Sequence, residues 1–171
     1  MMNTDVIIGG ATAIAGAGVT GLIQYVTFAR SARTRQRARI GDAADAYGDA
    51  LINYRRPIYA KVDDARKNVD PSAGRDIRWE AKSEVTRSLK RLLRVSAGAC
   101  GAAELARVAR EAATVTFALN DVASDVVDAV RGRASAERLA EAEEALREVG
   151  DEARRLDEQL LAAAVRATGG A

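Results

Sequence analysis

The sequence predicts an all-α protein: an N-terminal transmembrane helix followed by an antiparallel bundle of three or four long helices. Three observations predict it. Val6–Phe28 is a run of 23 residues without a charge. Beyond residue 40, apolar side chains recur every three or four positions almost to the C-terminus, which is the period of a helix with one buried face. The composition favours helix throughout, with 37 Ala and only two Pro. Ala loses no side-chain entropy on entering a helix, whereas Pro removes a donor and clashes with the preceding turn.

The uncharged run opens the first of four segments, an anchor at residues 1–29. At about 1.5 Å per residue it reaches roughly 34 Å, enough for a hydrocarbon core of about 30 Å. Five Gly, three Thr and Gln24 dilute its Ile, Val and Leu, so the span is of moderate hydrophobicity. Two rival readings stay open. A signal peptide wants positive charge before the apolar run, and here Asp5 precedes it. A Gly-rich helix buried in a core is the other.

Arg30, Arg33, Arg35, Arg37 and Arg39 form a juxtamembrane segment at 30–39 that contains no acid. Basic residues beside a spanning helix stay cytoplasmic, so the expected topology is single-pass in the cell membrane, N-terminus outside and C-terminal domain in the cytoplasm. The cluster also suits anionic lipid. It has no interleaved aromatics for base stacking, and no specific nucleic acid is expected. Within the anchor, Gly9, Ala13, Ala17 and Gly21 recur every four residues. Such a stripe of small side chains lets two helices approach closely in lipid, so a homo-oligomer is expected.

Residues 40–168 are read as a cytoplasmic helical bundle and 169–171 as a flexible tail. The first bundle helix covers about 40–68, with a stripe of Ile40, Ala44, Tyr47, Leu51, Tyr54, Ile58, Val62, Ala65 and Val69. Pro57 inside it predicts a kink near Asn53–Arg56. Val69–Gly74 reads as a loop. The second helix covers about 75–96 along Ala81, Val85, Ser88, Leu92 and Val95. Gly98 and Gly101 bracket a break, or helices two and three join through it. The third helix spans about 102–131 and ends at Gly132. The fourth runs about 134–167 behind Ser135 as N-cap. Leu105 to Val126 and Leu139 to Ala163 keep alternating steps of three and four.

Candidate chemistry is sparse. The chain has no His and one Cys, which removes the commonest general base, the commonest transition-metal ligand and any intrachain disulfide. Cys100 lies in the small-residue run Ser96–Ala103 and reads as a buried small hydrophobe. Asp121, Asp125 and Asp128, and Glu137, Glu141, Glu144 and Glu148, follow helical faces off the apolar stripes and read as solvated. Arg87, Lys90, Arg91 and Arg94 make the second helix basic, and the simplest account is charge matching with neighbouring helices. No phosphate-binding loop, dinucleotide fingerprint or nucleophile elbow appears. No catalytic residue, metal ligand or cofactor is expected, and the protein is not read as an enzyme.

The most unusual local composition is Tyr54-Arg55-Arg56-Pro57-Ile58-Tyr59. Tyr54, Arg55, Arg56, Pro57 and Tyr59 read either as a recognition corner for a protein partner, with Arg stacked on Tyr, or as a kink packed against Trp79.

Over about residues 6–130 the features run in the order apolar helix, Arg-rich stretch, Tyr54–Tyr59, the run Glu80–Thr86 and the run Ala112–Leu119. This order resembles small membrane-anchored actinobacterial proteins of the KilB type. The resemblance implies a role linked to spread of conjugative plasmids through the mycelium, and offers no catalytic residue. The expected function is a membrane-tethered scaffold that presents helical faces to a protein partner. The other reading is a structural or defence-related component that perturbs or senses the membrane.

Overall fold

The structure, a computed structural model, describes the backbone at 5–70 and 74–169, and side chains at 28, 30–70 and 74–169. The side chains of Gly9, Ala13, Ala17 and Gly21 lie outside the described residues, as does most of the uncharged run. Among the described residues no helix is long and apolar enough to cross a membrane. Four helices make up the fold: α1 Asp5–Arg66, α2 Arg75–Ser96, α3 Ala102–Arg131 and α4 Ala136–Thr168. The chain divides into two compact units, Met1–Ala38 and Arg39–Ala171. The second unit is the helical bundle.

Each boundary has a local cause. α1 ends in a paired carbonyl cap: Asn68 N–H donates to Ala65 O at 3.1 Å and Val69 N–H to Asp64 O at 2.8 Å. That motif needs a left-handed residue, and Asn68 takes it with φ 58°. Gly98 and Gly101 both have positive φ, and they separate α2 from α3 into two helices. α3 stops where Gly132 was expected to stop it, but Arg133 holds the left-handed position at φ 49°, while Gly132 stays near helical values at φ −70°. Ser135 caps α4, its Oγ accepting from Arg138 N–H at 3.2 Å. Helix α1 is continuous through Pro57.

Contacts between named residues give the topology. Tyr47 Oη donates to Ala109 O and Lys61 Nζ to Ser124 Oγ, each at 2.6 Å. Both partners advance together in sequence, so α1 and α3 run parallel and touch directly. Arg55 pairs with Asp157 and Arg66 with Glu143, numbers that move in opposite directions, so α4 is antiparallel to α1. Helix α2 packs on α3 and shares a cleft with α1 and α3, its Arg78 and Lys82 facing Asp128 and Phe117 in the antiparallel sense. The bundle is therefore up-down-up-down.

The core follows the predicted stripes and then widens. Ile40, Tyr47, Leu51, Ile58, Val85, Leu92, Leu105, Leu119 and Leu156 are fully enclosed. In α3 the buried face also takes in Ala109, Ala113, Thr116, Ala123 and Val127, because neighbours flank this helix on several sides. Ala109, Ala112, Ala153, Ala163 and Gly150 keep the helix backbones close. Val69 departs from its stripe and is exposed, since the helix has ended before it. Cys100 corrects the sequence reading: it is exposed, because the turn at residues 97–101 leads it away from the core stripe.

Candidate functional site

The Tyr54–Tyr59 segment is split by its own helix into several directions. Tyr54 is buried and meets Phe117 edge-on, with ring centroids 5.4 Å apart at 84°. Arg55 points the other way and pairs with Asp157 of α4 at 2.5 Å. Arg56 is exposed and donates to Asn53 Oδ1 at 3.3 Å. Tyr59 is 41% exposed, with its hydroxyl over Gly150, where an added Cβ would lie 2.6 Å from the oxygen. The five residues therefore form no single corner, and Arg-on-Tyr stacking is not seen. Adjacent positions on a helix turn by about 100°, which disperses a compact sequence motif around the helix.

The Arg55–Asp157 pair is the most enclosed ion pair among the described residues, with side-chain exposures of 9% and 31%. Arg55 Nη1 and Asp157 Oδ1 make no hydrogen bond within the described protein. The cross-helix pairs, Arg55–Asp157 and Arg66–Glu143, both join α1 to α4. Of the α2 cations expected to match charges on other helices, Arg87 pairs with Glu84 on its own helix at 2.8 Å. Arg138, Arg147, Arg154 and Arg155 likewise pair within α4. Residues three apart on a helix are neighbours, and α4 meets this demand locally. Arg30, Arg33, Arg35, Arg37 and Arg39 are all exposed.

Among the described residues, concave surfaces lie on both flanks of α1. Between α1 and α4 runs a shallow apolar groove of about 290 Å³, floored by Ala44, Gly48, Leu160 and Ala164. Ile52 and Leu161 stand on it at 42% and 63% exposure. Asp45 and Asp49 are exposed at its edge, and Asp157, paired with Arg55, also lines it.

On the other side, α1, α2 and α3 enclose a cleft of about 540 Å³. Lys61, Arg75, Arg78, Lys82 and Arg131 line it, with Asp70 and Asp128 as its acids. Lys82 Nζ lies 5.1 Å from the Phe117 ring centroid. Arg131 donates to Val69 O at 3.1 Å, which ties the end of α3 to the turn after α1. The Lys61 ammonium is held below its ordinary pKa, first by burial and then by the Arg78 charge. Trp79 is 73% exposed and stands at the rim; it is not packed into a kink at Pro57. The sequence signal for this cleft was the spacing of Arg75, Arg78, Trp79 and Lys82 along one face of α2.

Comparison of the chain with protein families, characterised proteins and solved structures finds no match. Fold and surfaces together define a four-helix up-and-down bundle with an acid-rimmed apolar groove on one flank and a cationic cleft on the other.

Proposed function

We propose that the chain is a membrane-tethered helical interaction protein, in which residues 1–29 form the anchor and the bundle docks a partner through the α1–α4 groove. The observation that carries the docking half is the groove itself. Ile52 and Leu161 are large apolar side chains left in solvent beside a floor of Ala and Gly, a shape that accepts inserted side chains from another helix. Asp45 and Asp49 beside the groove select the occupant's charge, since Asp157 is already paired with Arg55. The partner we infer is an amphipathic helix with apolar anchors flanked by Lys or Arg. The uncharged run and the five arginines after it support the tether, with the N-terminus outside. The order of motifs shared with KilB-type proteins supports a setting in conjugative plasmid transfer or mycelial spread. Self-association through Gly9, Ala13, Ala17 and Gly21 belongs to the same proposal.

A photo-crosslinking side chain at Ile52 of the full-length protein, in host membranes, tests the docking. The expected product is an adduct with a protein carrying a basic amphipathic helix, displaced by a synthetic peptide of that helix and lost in Leu161→Asp. An adduct of two copies of this chain would assign the groove to self-association instead. No adduct would sink the docking reading. Recovery of the protein in the soluble fraction after carbonate extraction would sink the tether, and unaltered plasmid spread after deletion of the gene would sink the setting.

A further inference from the structure

The cationic cleft has no role in docking a basic helix, and its chemistry points elsewhere. Five cations against two acids line one concavity. Its volume lies in the range of small-ligand sites, about 300–1,000 Å³. Several of its charges sit against local preference. Arg75 and Arg78 occupy the start of α2, where the helix dipole favours anions and disfavours cations. Arg78 also repels Lys61, whose ammonium is partly buried and anchored to Ser124 Oγ at 2.6 Å. Five cations against two acids leave the lining with three positive charges in excess, which draws an anion. On the rim stands Trp79, the chain's sole tryptophan, its indole surface largely uncovered. An exposed indole beside a cationic cleft offers a stacking face for a planar ring.

We propose that this cleft binds a small phosphate-bearing ligand with a planar base, the nucleotide class, its phosphates on Lys61, Arg78 and Arg131 and its base against Trp79. The site's concavity and size favour a small molecule over an extended nucleic-acid strand, which tracks a long groove with several stacking residues. The inference is independent of the docking groove and of the tether.

The sole tryptophan makes the test direct. Full-length protein in detergent is titrated with ATP, with inorganic pyrophosphate and with sodium chloride at matched ionic strength, following Trp79 fluorescence. ATP is expected to give a saturable change and to bind more tightly than pyrophosphate. Lys61→Met, checked for folding by circular dichroism, should weaken ATP binding about tenfold, the scale of one charge-assisted contact, with Lys61→Arg restoring part of it. Trp79→Leu, followed by calorimetry, should bring ATP to the affinity of pyrophosphate. The proposal is overturned if the change fails to saturate, if chloride reproduces it, or if Lys61→Met binds ATP like the wild type. It is equally overturned if an oligo-thymidine or a poly-glutamate peptide binds and ATP does not.

Discussion

Asp157→Asn and Arg55→Leu remove opposite halves of one ion pair, and the structure predicts that they differ in cost. Arg55 is 9% exposed at its side chain and Asp157 is 31% exposed. Removing the aspartate leaves a guanidinium enclosed between α1 and α4 without a counter-charge. Removing one partner of a buried pair costs about 3–5 kcal/mol, and Asp157→Asn belongs in that range. Removing the arginine leaves a carboxylate that reaches water along the groove, while leucine keeps much of the apolar packing of the arginine stem. That loss is about 1–2 kcal/mol. Arg55→Leu with Asp157→Leu replaces the pair by apolar side chains and returns to within about 1 kcal/mol of wild type. For a domain of this size, about 1 kcal/mol moves the Tm by roughly 3–5 °C. Asp157→Asn should thus lower Tm by about 10–25 °C, and the double variant should recover most of it. Thermal unfolding by circular dichroism measures all three in the full chain. Equal losses for the two single variants, or additive losses in the double, would refute the reasoning, because either result means the charges are solvated.

Other consequences are checked as simply. Leu119→Asp places an unpaired charge in a fully enclosed site and should unfold a bundle whose stability is about 5–15 kcal/mol; wild-type melting would show the core face to be wrong. Gly150→Ala gains about 1 kcal/mol of helix propensity but meets the Tyr59 hydroxyl, so Tm should rise more in a Tyr59→Phe background than in wild type, and equal shifts would separate the two residues. Burial holds the Tyr47 and Tyr54 hydroxyls protonated above the ordinary tyrosine range. Their contribution is intact below pH 10 and lost as pH rises beyond it, by up to about 1.4 kcal/mol per unit for each group. Tyr47→Phe should flatten this alkaline decline in a urea-unfolding series, after an initial loss of about 1 kcal/mol for the bond to Ala109. Cys100 should react with a maleimide reagent in the native protein as fast as after unfolding, and protection would return it to the core.

What the sequence made legible was set by periodicity. Stripes predicted α2, α3, α4 and the end of α1 to within a few residues, because a helix burying one face must repeat its apolar positions; α1 itself begins at Asp5, well before the stripe that starts at Ile40. Ser135 and the Gly98–Gly101 break were also readable, since caps and left-handed turns have narrow residue preferences. Sites that depend on the pairing of helices were not. Asp157 carries no sign in sequence that it will meet Arg55, 102 positions away. Arg133 took the left-handed place that Gly132 seemed made for. The Tyr54–Tyr59 motif misled because its neighbours in sequence face different helices. Conversely, Tyr54 and Trp79 face one cleft although far apart in the chain.

The two concave surfaces are set apart by the geometry of α1 itself. At about 100° per residue, Asp45, Asp49 and Ile52 fall on one side of the helix, and Tyr54 and Lys61 on the opposite side. The first set meets α4 and forms the acidic rim; the second meets α2 and α3 and forms the cationic cleft. The net charge of +2 therefore conceals a groove and a cleft of opposite local sign. Charges within a Debye length of about 8–10 Å act on an approaching partner, and those across the bundle are screened from it. Each flank then selects its own partner charge without cancelling the other. A basic helix in the groove and an anion in the cleft would be linked mechanically by α1, which lines both, and by α3, which lines the cleft and packs on α4. Coupling between them would need a shift of one of these helices, so ATP binding should leave the Ile52 crosslink unchanged unless α1 or the α3–α4 pair moves. Crosslinking yield with and without saturating ATP decides this, and a change in yield would show that these helices transmit occupancy from one flank to the other.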